Sequence, residues 1–568
     1  MHKYEHKRLI DEISSLDSLP EDEEHFSYWI KAEGHLKMLA RNSRDGEFIL
    51  YASGPYSYID TVLVPRNIVE PPNVEDLLHW NGCNPFSPRS AYVFGGGREG
   101  TWIEHGHTGT GTKSLEGCQN IVFLRTFDGW SGPESTYFEV LQEFLHLANI
   151  HWLAQQSAYC RLDKNGDLDP VLSTTHGGSR NGITIATIER EILDEYLSIT
   201  DQAIIQLFDF TLLRRGRFQG WRNGTEHVGG NDCGMWFRQH CETGVAAYTR
   251  GIQVIQPRDS YAPREPAWLV PENEANKSFV SFEIYDWRNA RVTRVSTDPK
   301  ETTNYFEAHN NDLPFEVSPA FFRPEVLLKY KADKDKYRIE TRSVSCRGAW
   351  SLTGIDINEA GQVHAYICDL GKLPYSEQLH WASHNEAPKA SISERAYICD
   401  IKGEFTNIVD PIDKLKTMLT RWADAKLDWW SVVNSASIYC LCTPVTTSRD
   451  EWAEAFLDLN KLINEGFVLR SIRRRLDDAK VAYGTDEKSL KLLERLWAYH
   501  DPAAASSLHN LRQIALIRSK AKGHGGSSDA RSLAAAAIEE HGSFRSHFNS
   551  ICLGALEELR LIESLIET

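Results

Sequence analysis

The sequence predicts a multidomain α+β protein, in which a mixed strand-and-helix region precedes an all-helical end. Three observations carry that expectation. The chain has 568 residues, too many for one compact core, so about two to four domains follow. Up to about residue 408, short β-like runs alternate with helical ones between Gly, Pro and Asn turns. From Asp410 the hydrophobic period becomes helical and stays so. The expected divisions are a mixed α/β domain over 1–270, a β-rich mixed domain over 271–407 and a helical domain over 408–568.

The elements follow in order. "HFSYWIKAEGHLKML" from His25 predicts a short helix, and "GEFILYASGPYSYIDTVLVP" from Gly46 predicts two strands about a Gly-Pro turn. "QNIVFLRTF" reads as a strand. "YFEVLQEFLHLANIHWL" from Tyr137 reads as an amphipathic helix, apolar at 138, 141, 144, 145 and 148. "AYCRLDKNGDLDPVLST" is a hairpin turning at Asn165-Gly166, and "EILDEYLSITDQAIIQLFDFTLL" is a helix followed by a strand. In the second region "SFVSFEIYDW", "ARVTRVST" and "AGQVHAYICDL" are strands, and "SPAFFRPEVLLKY" is a turn and short helix. "FEVLQEF" (Phe138–Phe144) and "FEVSPAF" (Phe315–Phe321) share a spacing that would fit an internal repeat. After Asp410, five stretches of helical period begin at Asp-Pro or Ser.

Composition narrows the function. Apolar residues make up 41% and charged residues 25%, the balance of ordinary globular protein. A net charge of −17 excludes a general nucleic-acid coat, which needs a basic face, while leaving room for a local basic cleft. Eleven scattered cysteines do not form a disulfide framework. With no signal core and no apolar run of membrane-spanning length, the expectation is a cytoplasmic protein without membrane contact.

Several motifs dissolve on inspection. "GHTGTGTKS" (Gly106–Ser114) nearly spells a phosphate-binding loop, but Thr112 intrudes before Lys113 and a strand-like run follows. "DKNGDLD" (Asp163–Asp169) has Leu168 where a calcium loop needs its sharp turn and Thr174 where it needs glutamate, so a hairpin turn is expected. His227, Cys233, His240 and Cys241 lack paired zinc-ligand spacing; no metal and no cofactor is expected. Two basic segments are candidate nucleic-acid contacts. Arg214, Arg215, Arg217 and Arg222 interleave with Phe218 and Trp221, suiting phosphate contacts with base stacking. Arg473 and Arg474 belong to a basic helix with Arg470 and Arg475. A solvated basic face balancing an acidic protein explains either segment too.

The stretch "IRSKAKGHGG" (Ile517–Gly526) places Arg518 and His524 where a helix breaks on glycine. On an ideal helix turning about 100° per residue from Leu508, Arg518 falls near 280°, inside the arc of Leu511, Ile514, Ala515, Ile517 and Ala521. A guanidinium there needs an anion, either a carboxylate such as Glu557 or Glu558 or an RNA phosphate. His547, between Phe544, Phe548 and Ile551, reads as a hydrogen-bonded core histidine. The apolar stripe Phe548, Ile551, Cys552, Leu556 and Leu559 needs a mate.

This decapeptide resembles the R-x4-6-H signature of the HEPN superfamily, particularly its abortive-infection C-terminal type. There a motif of the form L-R-N-K-x-G-x-x-H-G ends one helix before an alanine-rich one, and "SSDARSLAAAAIEEHG" fits that order. Ser519 departs from the family's Asn, Asp or His after the arginine. The resemblance covers about fifty residues and carries over only Arg518 and His524. It implies a metal-independent endoribonuclease in which the arginine holds phosphate and the histidine moves a proton, with two protomers facing across a dimer cleft. It further implies a bacterial antiphage-defence or stress effector. The partners expected are RNA, a second copy of the chain, and a protein or phage-derived trigger sensed by the N-terminal region. A second reading is a non-enzymatic recognition protein whose helical end dimerises or docks a partner. A third is a hydrolase using the loop around His105 and His107.

Overall fold

A computed structural model describes residues 6–18, 29, 31–43, 46–70, 90–94, 101–105, 119–126, 136–176, 182–213, 227–231, 234–242, 246–258, 277–408, 410–502, 508–522 and 528–567. The fold is mixed α+β with a strand-rich N-terminal part and a helical C-terminal part. Two compact units emerge: residues 1–161 with 168–274, and residues 162–167 with 275–568.

The strands of the first unit are β1 (Glu47–Ser53), β2 (Ser57–Pro65), β3 (Ser90–Phe94), β4 (Thr101–His105), β5 (Val122–Thr126), β6 (Thr136–Val140), β7 (His151–Leu153), β8 (Ala158–Leu162), β9 (Leu168–Thr175), β10 (Thr184–Glu189), β11 (Gln202–Leu213), β12 (His227–Asn231), β13 (Met235–Glu242) and β14 (Ala246–Ile255). Ten of them form one sheet in the order β12-β13-β14-β11-β2-β1-β10-β9-β8-β7, while β3–β4 and β5–β6 are separate pairs. β1 is buried on both faces. Phe48 and Leu50 join the cluster containing Ile192 and Leu197, from the helix Arg190–Ile199. Ile49 and Ala52 join the cluster under Leu9, Ile13 and Leu39, from the helices His6–Leu16 and Glu33–Asn42. An irregularity in the pairing with β10 between Ile49 and Tyr51 puts Leu50 and Tyr51 in the same cluster, as a bulge does.

A buried ion cluster ties the helix Arg190–Ile199 to its surroundings. Asp194 is fully buried and accepts from Arg190 Nε at 3.0 Å and Arg258 Nε at 2.5 Å. Arg190 also donates to the carbonyls of Ser43 and Gln256 at 2.9 and 2.8 Å.

The expected hairpin at Asn165-Gly166 is present: Gly166 adopts φ +74°, and Asp163 Oδ1 accepts the Asn165 and Asp167 amides at 2.8 and 2.7 Å. The helix expected from Tyr137 is corrected. Residues 136–140 are β6, with Phe138 and Val140 buried on alternate positions, and helix runs only over Gln142–Ala148. The match between Phe138–Phe144 and Phe315–Phe321 has no structural counterpart: the first passes from strand into helix, the second from turn into strand.

The second unit opens with β15 (Ser281–Asp286), β16 (Arg291–Ser296), β17 (Pro319–Phe322), β18 (Tyr337–Glu340), β19 (Ser343–Cys346), β20 (Trp350–Thr353), β21 (Asp356–Ile357), β22 (Val363–Tyr366) and β23 (Asn385–Glu386). One sheet has the order β16-β15-β17-β22-β21 with β23 against β17, and β18-β19-β20 form another. Their core centres on Trp381, which stands edge-on to Phe322 at 4.8 Å and donates to Tyr330 Oη at 2.8 Å. Tyr330 in turn donates to Glu377 at 2.8 Å, so the buried hydroxyl is satisfied twice.

The helices Pro411–Ala425, Arg449–Leu462, Leu469–Asp478, Ser489–His500, His509–Ile517, Ser528–His541 and Phe544–Glu567 follow. Their apolar cluster draws on residues 412–562 alone, with Trp422, Trp430, Trp452 and Phe456 among its largest members. The β-rich part keeps its own cluster, to which only Val445 is added from beyond residue 410. Polar groups join the two parts: Lys331 pairs with Glu451, Lys334 reaches Asp458 at 2.6 Å, and Thr341 donates to Asp413.

The stripe of the last helix finds its mate inside the chain. Phe548, Ile551, Cys552, Leu556 and Leu559 are all buried in the helical core. The mate that the stripe needs therefore lies within the chain, and the stripe gives no argument for a dimer.

Candidate functional site

The helix His509–Ile517 sets the position of Arg518. Leu511, Ile514 and Ile517 recur three residues apart and are buried. Its first turn is held from a distance: Glu558 of the last helix accepts the Asn510 and Leu511 amides at 2.7 and 3.0 Å. A carboxylate there satisfies orphan donors and complements the positive helix end. Asn464 donates to the Leu511 carbonyl and to Asn460 Oδ1, both at 3.0 Å, fixing the same helix against Arg449–Leu462.

At Arg518 the winding loosens into a π-helical turn, Arg518–Lys522. This changes the expectation for the arginine. An ideal α-helix carried past Ile517 puts Arg518 on the packing face; in the structure its side chain is 48% exposed. Looser winding shifts the angular position of each residue, and the long side chain carries its guanidinium toward solvent. Its partner is neither Glu557 nor Glu558 but Glu465, half exposed itself, with Nη2 and Oε1 separated by 3.6 Å. That separation exceeds hydrogen-bond length. The same Glu465 oxygen accepts from Asn460 at 2.9 Å. Sequence reasoning missed Asn460, Asn464 and Glu465, whose only signal was a polar run closing a helix.

His524 lies outside the described residues. The segment containing it is bracketed by an ion pair, Lys520 Nζ to Asp529 at 2.7 Å, linking the π turn to the start of Ser528–His541. Ser519, the residue that departs from the family pattern, donates to the Leu516 carbonyl at 2.9 Å.

His547 accepts from Trp452 Nε1 at 3.2 Å and packs 4.9 Å from the His541 ring, and burial pushes its pKa down to about 4. It is a neutral core histidine, as its apolar neighbours imply. Of the basic segments, Arg214, Arg215, Arg217, Trp221 and Arg222 lie outside the described residues. Arg473 donates to the carbonyls of Thr485 and Glu487 at 2.9 and 3.3 Å. Arg474 and Arg475 meet at Asp428, whose carboxyl they hold well below its usual range, with Arg475 first among the causes. Arg470 is exposed. The structure thus gives Arg473 and Arg474 partners within the chain.

The described cysteines are free thiols. Among the described residues, no group of three or more His, Cys, Asp or Glu is placed to hold a metal, and no helix is long and apolar enough to cross a membrane. No protein-family model, curated protein or solved structure matches the chain.

Proposed function

We propose that the helical end is a HEPN-like endoribonuclease of the metal-independent kind, controlled by the strand-rich region, and that it serves a defence or stress response. The observation supporting this reading is the state of Arg518: a half-exposed guanidinium at a helix end, whose one carboxylate partner among the described residues stands at 3.6 Å. Such a group retains its donor fork for a phosphate. In the proposed reaction the 2′-hydroxyl gives up its proton as its oxygen attacks phosphorus, and the 5′-oxygen leaves protonated. Arg518 neutralises charge on the phosphate oxygens, and His524 moves the proton. RNA is the substrate, and a second copy of the chain would complete the cleft.

The test is cleavage of a fluorescent single-stranded RNA by the full chain, alone and with cell or phage lysate as trigger. Arg518→Ala and His524→Ala should each reduce cleavage by roughly 10²-fold or more, and a chelator should not.

The second reading, a non-enzymatic recognition protein, draws on the same contact. Glu465 beside Arg518 makes an ordinary surface ion pair, and such pairs need no substrate. Wild-type protein that leaves RNA intact under every trigger would favour it.

A further inference from the structure

Within the second unit, a cleft opens between the β-rich part and the helices. Its walls are largely apolar, with Ile355, Ile357, Leu441 and Val445 among them, and two cations face it, Arg545 and Lys416. Arg545 sits at the second position of the helix Phe544–Glu567, where the helix dipole disfavours a positive charge. Among the described residues its one hydrogen bond is to the Ile357 carbonyl at 3.5 Å, and no carboxylate oxygen lies within 4.0 Å. Lys416, in the second turn of Pro411–Ala425, has no hydrogen bond or ion pair among the described residues.

The acidic groups around the cleft are committed elsewhere. Asp356 is held by Arg395 through two hydrogen bonds of 2.9 and 2.7 Å and by Ser393 at 2.7 Å. Asp410 caps the helix Pro411–Ala425 through the Ile412 amide at 3.0 Å. Glu340 pairs with Arg338 at 2.8 Å. Lys331, also lining the cleft, is taken by Glu451 and by the Thr443 carbonyl. Among the described residues, two cations thus lack a direct ion pair near the first turns of two helices, with Asp356 and Asp410 acting on Arg545 only from beyond 4.0 Å. A largely desolvated guanidinium without an anion in direct contact is costly to keep, and groups kept at such cost belong with function more often than with folding. Burial accordingly pulls the Arg545 pKa below its usual value.

We infer that this cleft binds a small organic anion, its phosphate or carboxylate head between Arg545 and Lys416 and its apolar body against Ile355, Ile357 and Leu441. The site is separate from Arg518, and its test reads no RNA cleavage.

Calorimetry on the full chain with phenyl phosphate, benzoate, inorganic phosphate and phenol tests the inference. Phenyl phosphate or benzoate should bind saturably, the stronger of the two identifying the head group. Phenol should bind far more weakly than either. Arg545→Met and Lys416→Met should each weaken binding by about tenfold or more, the effect of one lost charge-assisted contact. Arg545→Met should also leave the melting temperature unchanged or raised, because the desolvation of the arginine outweighs its distant attraction to Asp356 and Asp410. Four results overturn the inference: no saturable binding of either aryl anion; binding unchanged in both variants; inorganic phosphate binding as tightly as phenyl phosphate while benzoate does not bind; or a melting temperature lowered by Arg545→Met with Lys416→Met binding as wild type. Should Arg545→Met fail to fold, Lys416→Met decides on binding alone.

Discussion

Replacing Arg518 by alanine should abolish cleavage and barely touch stability, and the structure sets the size of that contrast. The ion pair with Glu465 spans 3.6 Å between side chains that are each about half exposed. Two unit charges at that distance attract by about 1 kcal/mol in water, and side-chain ordering and salt reduce an exposed pair to roughly 0–1 kcal/mol. For a cooperative block of this size, 1 kcal/mol moves the melting midpoint by about 2–4 °C. Arg518→Ala should therefore lower the helical transition, followed by circular dichroism at 222 nm, by no more than about 4 °C. Raising salt should shrink the difference. A drop of 8 °C or more, undiminished by salt, would mean that the guanidinium is part of the fold. The inference that it is free to grip a phosphate would then fail, whatever cleavage assays gave.

Other outcomes follow from the same reasoning. Asp194→Ala leaves Arg190 buried without its carboxylate and should cost about 3–5 kcal/mol, visible as a large loss in urea midpoint for the first unit. Glu558→Ala removes the acceptor of two helix-end amides and should cost about 1–2 kcal/mol; hydrogen exchange should show the Asn510 and Leu511 amides losing protection first. His364 is buried and His547 half-buried, and both have pKa values pushed down to about 4, chiefly by desolvation. Because the folded values lie below the unfolded one, their contribution is complete above pH about 6.5 and is lost as pH falls toward 4. Urea midpoints should decline across that window, and His364→Phe should flatten the decline.

Legibility in the sequence tracked the range of the interactions. β1 and β2 were visible because a Gly-Pro turn separates two apolar runs, a local signal. The helices after Asp410 were visible because Asp and Ser caps and a helical period are written in consecutive residues. The order of the ten-stranded sheet was not, since β1 pairs with β10 across more than a hundred intervening residues. Tyr137 was read as helical because Phe138, Leu141 and Leu145 fit a helical period as well as alternation fits Phe138 and Val140. At the candidate site, the helix end at Arg518 was legible, while its orientation was not. The ideal turn of 100° per residue was carried through a segment whose winding loosens. The cations of the cleft come from two helices far apart in the chain, so no local pattern announces them.

The cap that Glu558 places on Asn510 and Leu511 also bears on the order in which the protein is made. A nine-residue helix is marginal by itself, and the acceptor for its first amides is synthesised later than the helix. During translation, Arg518 leaves the ribosome on a segment with no fixed beginning. That segment gains the carboxylate cap on its first amides only when the last helix folds back onto it. A chain interrupted before residue 558 would carry both Arg518 and His524 in sequence and yet lack the support that orients the arginine. For a protein whose proposed activity would attack the RNA around it, such timing keeps half-made copies harmless.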